Sequence, residues 1–134
     1  MASCYHNHYG GGLNFSCLTN NPKYDKLPGG IRLLTTHIST AEVKSRGSQM
    51  MIPATNECPA GWTREYSGYL MSSLHSGKHS TEFVCIDADP EVAPGHKRGT
   101  DGAQLYVVAG QCGALPCCKP YIINYELTCV VCTK

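Results

Sequence analysis

Nine cysteines in a chain of 134 residues restrict its possible folds more than any other feature. That density means either disulfides made in an oxidising compartment or metal sites in a reducing one, and the first reading is the stronger. Asn14-Phe15-Ser16 is an N-glycosylation acceptor centred on Asn14, which suits secretion. The opening residues carry neither a basic n-region nor an apolar h-region, so the chain reads as a mature product or excised fragment of a secreted, extracellular protein.

Charge argues against two partner classes. Eleven Lys and Arg stand against ten Asp and Glu, for a formal charge of +1 without runs, which leaves no footprint for nucleic acid. No apolar run approaches the roughly 18 residues needed to span a bilayer, so membrane insertion is not expected. The length fits one domain with a modest core.

Gly and Pro punctuate the sequence at short intervals, and no apolar stripe of helical period exceeds two turns. Segments rich in Tyr, Val, Ile and Thr at 13–18, 31–38, 49–52, 63–71, 82–86, 104–109 and 121–132 predict strands, and their spacing predicts an all-β fold. The chain also resembles itself. Phe15-Ser16-Cys17-Leu18, followed by Pro22, matches Phe83-Val84-Cys85-Ile86, followed by Pro90, at a constant offset of 68. Gly30-Ile31-Arg32-Leu33-Leu34 then resembles Gly102-Ala103-Gln104-Leu105-Tyr106. This order predicts two related small β units, 1–45 and 46–134, stapled by disulfides and packed as one domain about a pseudo-twofold axis. The second is introduced by Cys58-Pro59-Ala60-Gly61-Trp62; the first has no counterpart to that leader and is expected to be a truncated unit.

Ser48-Gln49-Met50-Met51-Ile52-Pro53, Cys58-Pro59-Ala60-Gly61-Trp62-Thr63, Gly68-Tyr69-Leu70-Met71 and the closing Cys129-Val130-Val131-Cys132 resemble the C-terminal noncollagenous domain of short-chain sponge collagens, and more distantly that of collagen IV. The resemblance covers residues 46–134 and is weaker before them. Two features depart from the pattern: the first unit has no closing Cys-x-x-Cys, and the chain has no Gly-X-Y tract for a triple helix. The resemblance implies a fold and an extracellular setting. Its nested pairing implies Cys58 with Cys132, Cys85 with Cys129, and Cys112 with Cys117 or Cys118.

Read from the residues alone, Cys129-Val130-Val131-Cys132 has a zinc and a redox alternative to disulfides. In a strand, positions i and i+3 face opposite sides, so each cysteine should find its own partner. In the first unit, Cys4 and Cys17 are equidistant from a point between Gly10 and Gly11, where a hairpin turn would set them opposite each other for a cross-strand bridge. With Cys117 assigned to the small loop, Cys118 is left as a free or intermolecular thiol.

Other candidate chemistry is thin. His6 and His8, or His75 and His79, offer pairs without a third ligand, and Asp87-Ala88-Asp89-Pro90 reads as a turn, so no metal site is expected. No nucleophile elbow, zinc-protease motif or phosphate-binding loop occurs, and no cofactor or catalytic residue is assigned. Trp62 belongs to the core in the pattern of the noncollagenous domains. Tyr5, Tyr9 and Tyr24, on the more polar first third, are candidates for a platform on which sugar rings stack. The expected function is a non-enzymatic structural module that self-associates into an oligomer, matrix or fibre; a lectin-like, glycan-binding protein is the alternative.

Overall fold

The structure, a computed structural model, describes residues 9–12, 17–25, 34–35, 46–90, 104–111, 113 and 119–134. These residues contain no helix and eight strands: β1 (Gly11–Gly12), β2 (Leu34–Thr35), β3 (Gln49–Pro53), β4 (Thr63–Ser72), β5 (Ser80–Thr81), β6 (Val84–Asp87), β7 (Gln104–Val107) and β8 (Thr128–Thr133). The fold is all-β. β1 and β5 form a small parallel sheet, and the other six form one sheet in the order β2-β7-β4-β8-β3, with β6 also on β4.

The sequence of β8 explains its place. Thr-Cys-Val-Val-Cys-Thr has no polar alternate position, and all six residues are buried. A strand of this kind needs cover on both faces. β3 and β4 flank it in antiparallel register, with Met51 and Tyr66 both opposite Val131. Cys129 and Val131 point into a core cluster with Ala54, Leu70, Phe83, Cys85, Tyr121 and Leu127. Adjacent β4 and β6 residues point the other way: Met71 and Ile86 join Leu105 in a second cluster. Leu70, Met71, Leu127 and Val130 are among the largest fully buried side chains, each contributing about 2 kcal/mol from apolar burial.

β4 changes partner along its length. It pairs with β8 from Thr63 to Tyr69 and with β7 at Met71 and Ser72. At the junction three backbone bonds close a ring: Leu70 N–H donates to Leu127 O at 2.9 Å, Leu127 N–H to Val108 O at 2.8 Å, and Val108 N–H to Leu70 O at 2.8 Å. The ring satisfies polar groups that a splitting sheet would otherwise bury unpaired.

β4 is also creased. In a flat sheet, β6 and β8 on either side of β4 would be about 9.5 Å apart. The Cα atoms of Cys85 on β6 and Cys129 on β8 are 5.7 Å apart and joined by a disulfide. The sheet curls over Gly68, where an added Cβ would sit 1.8 Å from Ile86 O. The second disulfide joins Cys132 to Cys58 in the loop before β4. Cys129 and Cys132 thus use opposite faces of one strand, and their partners are the two that the resemblance to noncollagenous domains implies.

Four readings are corrected. Cys17 is a free, exposed thiol and not half of a bridge to Cys4. The glycine segment expected to form the hairpin turn is a strand instead, held along the body: Gly10 N–H donates to His75 O, Gly11 N–H to Ser73 Oγ, and Ser73 Oγ–H back to Gly11 O. Glycine is required because a Cβ at Gly10 would meet Leu74 O at 1.9 Å, and one at Gly12 the Phe83 ring at 2.3 Å. Residues 121–132 are not one strand; only Thr128–Thr133 is, and a tight turn precedes it. Trp62 is partly buried and belongs to neither core cluster.

Of the matched segment 13–18, only Cys17 and Leu18 are described; neither is in a strand, while their matches Cys85 and Ile86 lie in β6. Cys4, Tyr5, Asn14, Cys112, Cys117 and Cys118 lie outside the described residues.

Candidate interaction surface

The surface that stands out is built on the turn between Tyr121 and Leu127. Pro120, in a cis peptide with Lys119, precedes it. Tyr125 N–H donates to Ile122 O at 3.3 Å, closing a four-residue turn in which Asn124 has φ 59°. Asparagine tolerates this left-handed conformation better than most residues. The turn's base is tied to the segment that follows β7, with Asn124 N–H donating to Gly110 O at 2.8 Å and Gly110 N–H to Tyr125 O at 2.9 Å. A side chain at position 110 would crowd this joint, since its Cβ would lie 2.9 Å from Ile122 O.

Residues 17–25 form a strap that braces the same turn. Leu18 and Tyr24 pack against the first core cluster. Tyr121 Oη donates to Thr19 O, Ile122 N–H donates to Tyr24 Oη at 3.0 Å, and the Tyr24 and Tyr125 rings meet edge to face at 5.1 Å. The strap's other end is fixed by Lys23 N–H to Ala54 O and by Thr128 Oγ1 to Lys23 O. Asn56 Nδ2 donates to the Asp25 carboxylate. The Lys23–Glu57 ion pair is largely solvated and adds little.

The result is a stiff turn with apolar side chains facing water: Ile122 is 45%, Ile123 44% and Tyr125 43% exposed. Single exposed apolar residues are ordinary, but neighbours on an immobilised turn resemble the anchor of a docking site. The sequence pattern conceals this. Ile122 and Ile123 read as strand residues until the turn made by Asn124 is seen.

The electrostatics concern tyrosines. Burial, then the Asp87 charge, raises Tyr66 above the ordinary value of 10.0. Burial, then Asp25 and Glu126, does the same for Tyr69. Burial, then Tyr24, raises Tyr121. Tyr66 Oη donates to Cys85 O at 3.1 Å across the crease. Tyr66 and Tyr121 are internal fasteners, and the raised values favour the protonated form that donates.

Of the three residues of the candidate sugar platform, Tyr5 lies outside the described residues. Tyr9 lies beside β5, with its carbonyl accepting from Ser80 Oγ, whereas Tyr24 is partly buried in the brace around Tyr125. Among the described residues no cluster of three or more His, Cys, Asp or Glu could hold a metal, and no helix is long and apolar enough to cross a membrane. No family model, curated protein or solved structure matches the chain.

Proposed function

We propose that this chain is a non-enzymatic extracellular structural module that self-associates, with the Ile122–Ile123–Tyr125 turn as its contact. The observation that carries this reading is the exposure of three large apolar side chains on a turn fixed by its own backbone bonds and by the Tyr24 brace. A preorganised anchor loses little conformational entropy on docking, so more of its apolar burial appears as affinity. Two disulfides across the core suit an oxidising setting. The exposed Cys17 thiol, in a chain with an odd number of cysteines, supports covalent reinforcement between copies. The resemblance of residues 46–134 to the noncollagenous domains of collagens supports the same class of function.

The test is mass by light scattering across a concentration series, with and without mild reductant, for the wild type and for Ile122→Asp/Ile123→Asp. An oligomer that the double substitution turns into a monomer of unchanged melting temperature supports the proposal. A wild type that stays monomeric at high concentration refutes it. Carbohydrate binding is the second reading, supported by the exposed rings of Tyr9 and Tyr125. Saturable binding on a glycan array by a stable monomer would favour it.

A further inference from the structure

Seven of the eight tyrosines lie among the described residues, and six of them are engaged. Tyr66 Oη donates to Cys85 O, Tyr106 Oη to Gln104 Oε1, and Tyr121 Oη to Thr19 O. Tyr24 Oη accepts from Ile122 N–H, Tyr125 holds the edge-to-face contact with Tyr24, and Tyr69 is buried. Tyr9 differs from all of them: it is 81% exposed.

That exposure does not come from a loose backbone. The Tyr9 carbonyl accepts from Ser80 Oγ at 3.0 Å, and the next residue donates to His75 O at 3.2 Å. Gly10 is buried so tightly that no side chain fits there, and Gly11 is bonded at both N–H and C=O to Ser73 Oγ. The glycine strand therefore holds the main chain down while the phenol at position 9 stands out from it. Of the seven described phenols this is the most exposed, ahead of Tyr125 at 43%, and a large oxidising enzyme reaches it without disturbing the fold.

We propose that Tyr9 is a site of oxidative phenol coupling that joins two copies of the chain. The co-reactant is a hydroperoxide used by a haem peroxidase. Each of two Tyr9 phenols loses one electron and one proton; the two ring radicals form a carbon–carbon bond ortho to the oxygens. Loss of the two ortho hydrogens to the phenolic oxygens restores both aromatic rings and both hydroxyls. The balance is two phenols and one hydrogen peroxide giving one biphenol and two waters. The coupling deepens the self-association reading, because assembly brings phenols of neighbouring copies within reach. An enzyme that oxidises a phenol at its haem edge must first approach the ring, so exposure ranks the candidates. The buried phenols with raised pKa, Tyr66, Tyr69 and Tyr121, are poorer competitors.

The experiment treats the full chain with a haem peroxidase and hydrogen peroxide, for wild type, Tyr9→Phe and Tyr125→Phe. Dityrosine fluorescence, reducing gels and peptide mapping are the readouts, and each sample is measured by light scattering before peroxide is added. The expected result is a reductant-resistant dimer whose cross-link maps to Tyr9, mostly lost in Tyr9→Phe and little changed in Tyr125→Phe, as exposure ranks them. Coupling of Tyr9→Phe at the wild-type rate, absence of coupling in the wild type, or cross-links mapping mainly to Tyr5 or Tyr125, would overturn it. The prior mass separates the two ideas: a monomer that couples at Tyr9 removes the assembly reading alone, and an oligomer that does not couple at Tyr9 removes this one alone.

Discussion

Replacing Gly68 by alanine should be among the most damaging single-methyl additions to this protein. Gly68 is buried at the crease of β4, and the new Cβ would lie 1.8 Å from Ile86 O, 2.7 Å from Asp87 C and 2.7 Å from Ala88 N. All three are backbone atoms of β6 or its continuation, so no side chain can swing aside. Restoring ordinary contact at 3.4 Å requires the Ile86 carbonyl to retreat by about 1.6 Å. The Cys85–Cys129 disulfide, two residues from Asp87 along the chain, opposes that movement. Neighbouring backbone bonds, including Ala88 N–H to Ser67 O at 3.2 Å, would stretch past useful length. Overpacking of about 1–3 kcal/mol and the loss of one or two bonds at about 1 kcal/mol each give a cost of about 2–5 kcal/mol. Against a typical stability of about 5–15 kcal/mol, this lowers the melting temperature by about 6–25 °C. Circular dichroism melts of wild type and Gly68→Ala under non-reducing conditions provide the assay. A variant that melts within about 3 °C of wild type, or one stabilised by the smaller unfolded-state entropy that alanine brings, would refute the reasoning.

Three other outcomes are expected. The Cys85→Ser/Cys129→Ser pair should cost about 4 kcal/mol by loop closure, and Cys58→Ser/Cys132→Ser slightly more because its loop spans 74 residues rather than 44, which urea denaturation of each pair will show. Because Tyr66, Tyr69 and Tyr121 are raised above 10.0 in the native state, the unfolded chain releases their protons first as pH rises. Their contribution is therefore intact below pH 10.0 and is lost as pH climbs through the native values; melting temperature against pH should fall there, and less steeply in Tyr66→Phe. Glu65, the bulge residue of β4, accepts from Arg46 Nη1 and from the buried Thr133 hydroxyl, so Glu65→Ala should lose about 1–2 kcal/mol in a denaturant titration, whereas an exposed residue such as Glu57 should lose much less.

The strands of residues 46–134 were legible because their signals are local. β3, β4, β6 and β7 fall within a residue or two of the segments read from β-branched and aromatic composition. β8 announces burial on both faces by lacking any polar alternation, and the spacing of Cys129 and Cys132 puts them on opposite faces of whatever strand contains them. The pairing of those cysteines came from resemblance, since nothing in spacing alone selects Cys58 or Cys85.

Other features depend on which distant segment lies opposite. Gly10, Gly11 and Gly12 read as a turn, because glycine permits a turn and a close approach equally well, and only the positions of Leu74, Ser73 and Phe83 decide for the second. Cys17 is a free thiol, and of the chain before it Gly11–Gly12 runs along β5. Ile122 and Ile123 look like core residues in sequence. They face water because the pairing that starts at Val108 and Leu127 runs on through Ala109–Glu126 and Gly110–Tyr125 and then ends in the turn closed by Tyr125 N–H to Ile122 O, which leaves both side chains beyond the sheet. Sequence by itself thus determined which residues must be extended and which must be covered. Tertiary contact decided which glycines are clasps, which thiol stays open and which apolar side chains are left exposed, because each is settled by a partner dozens of residues away.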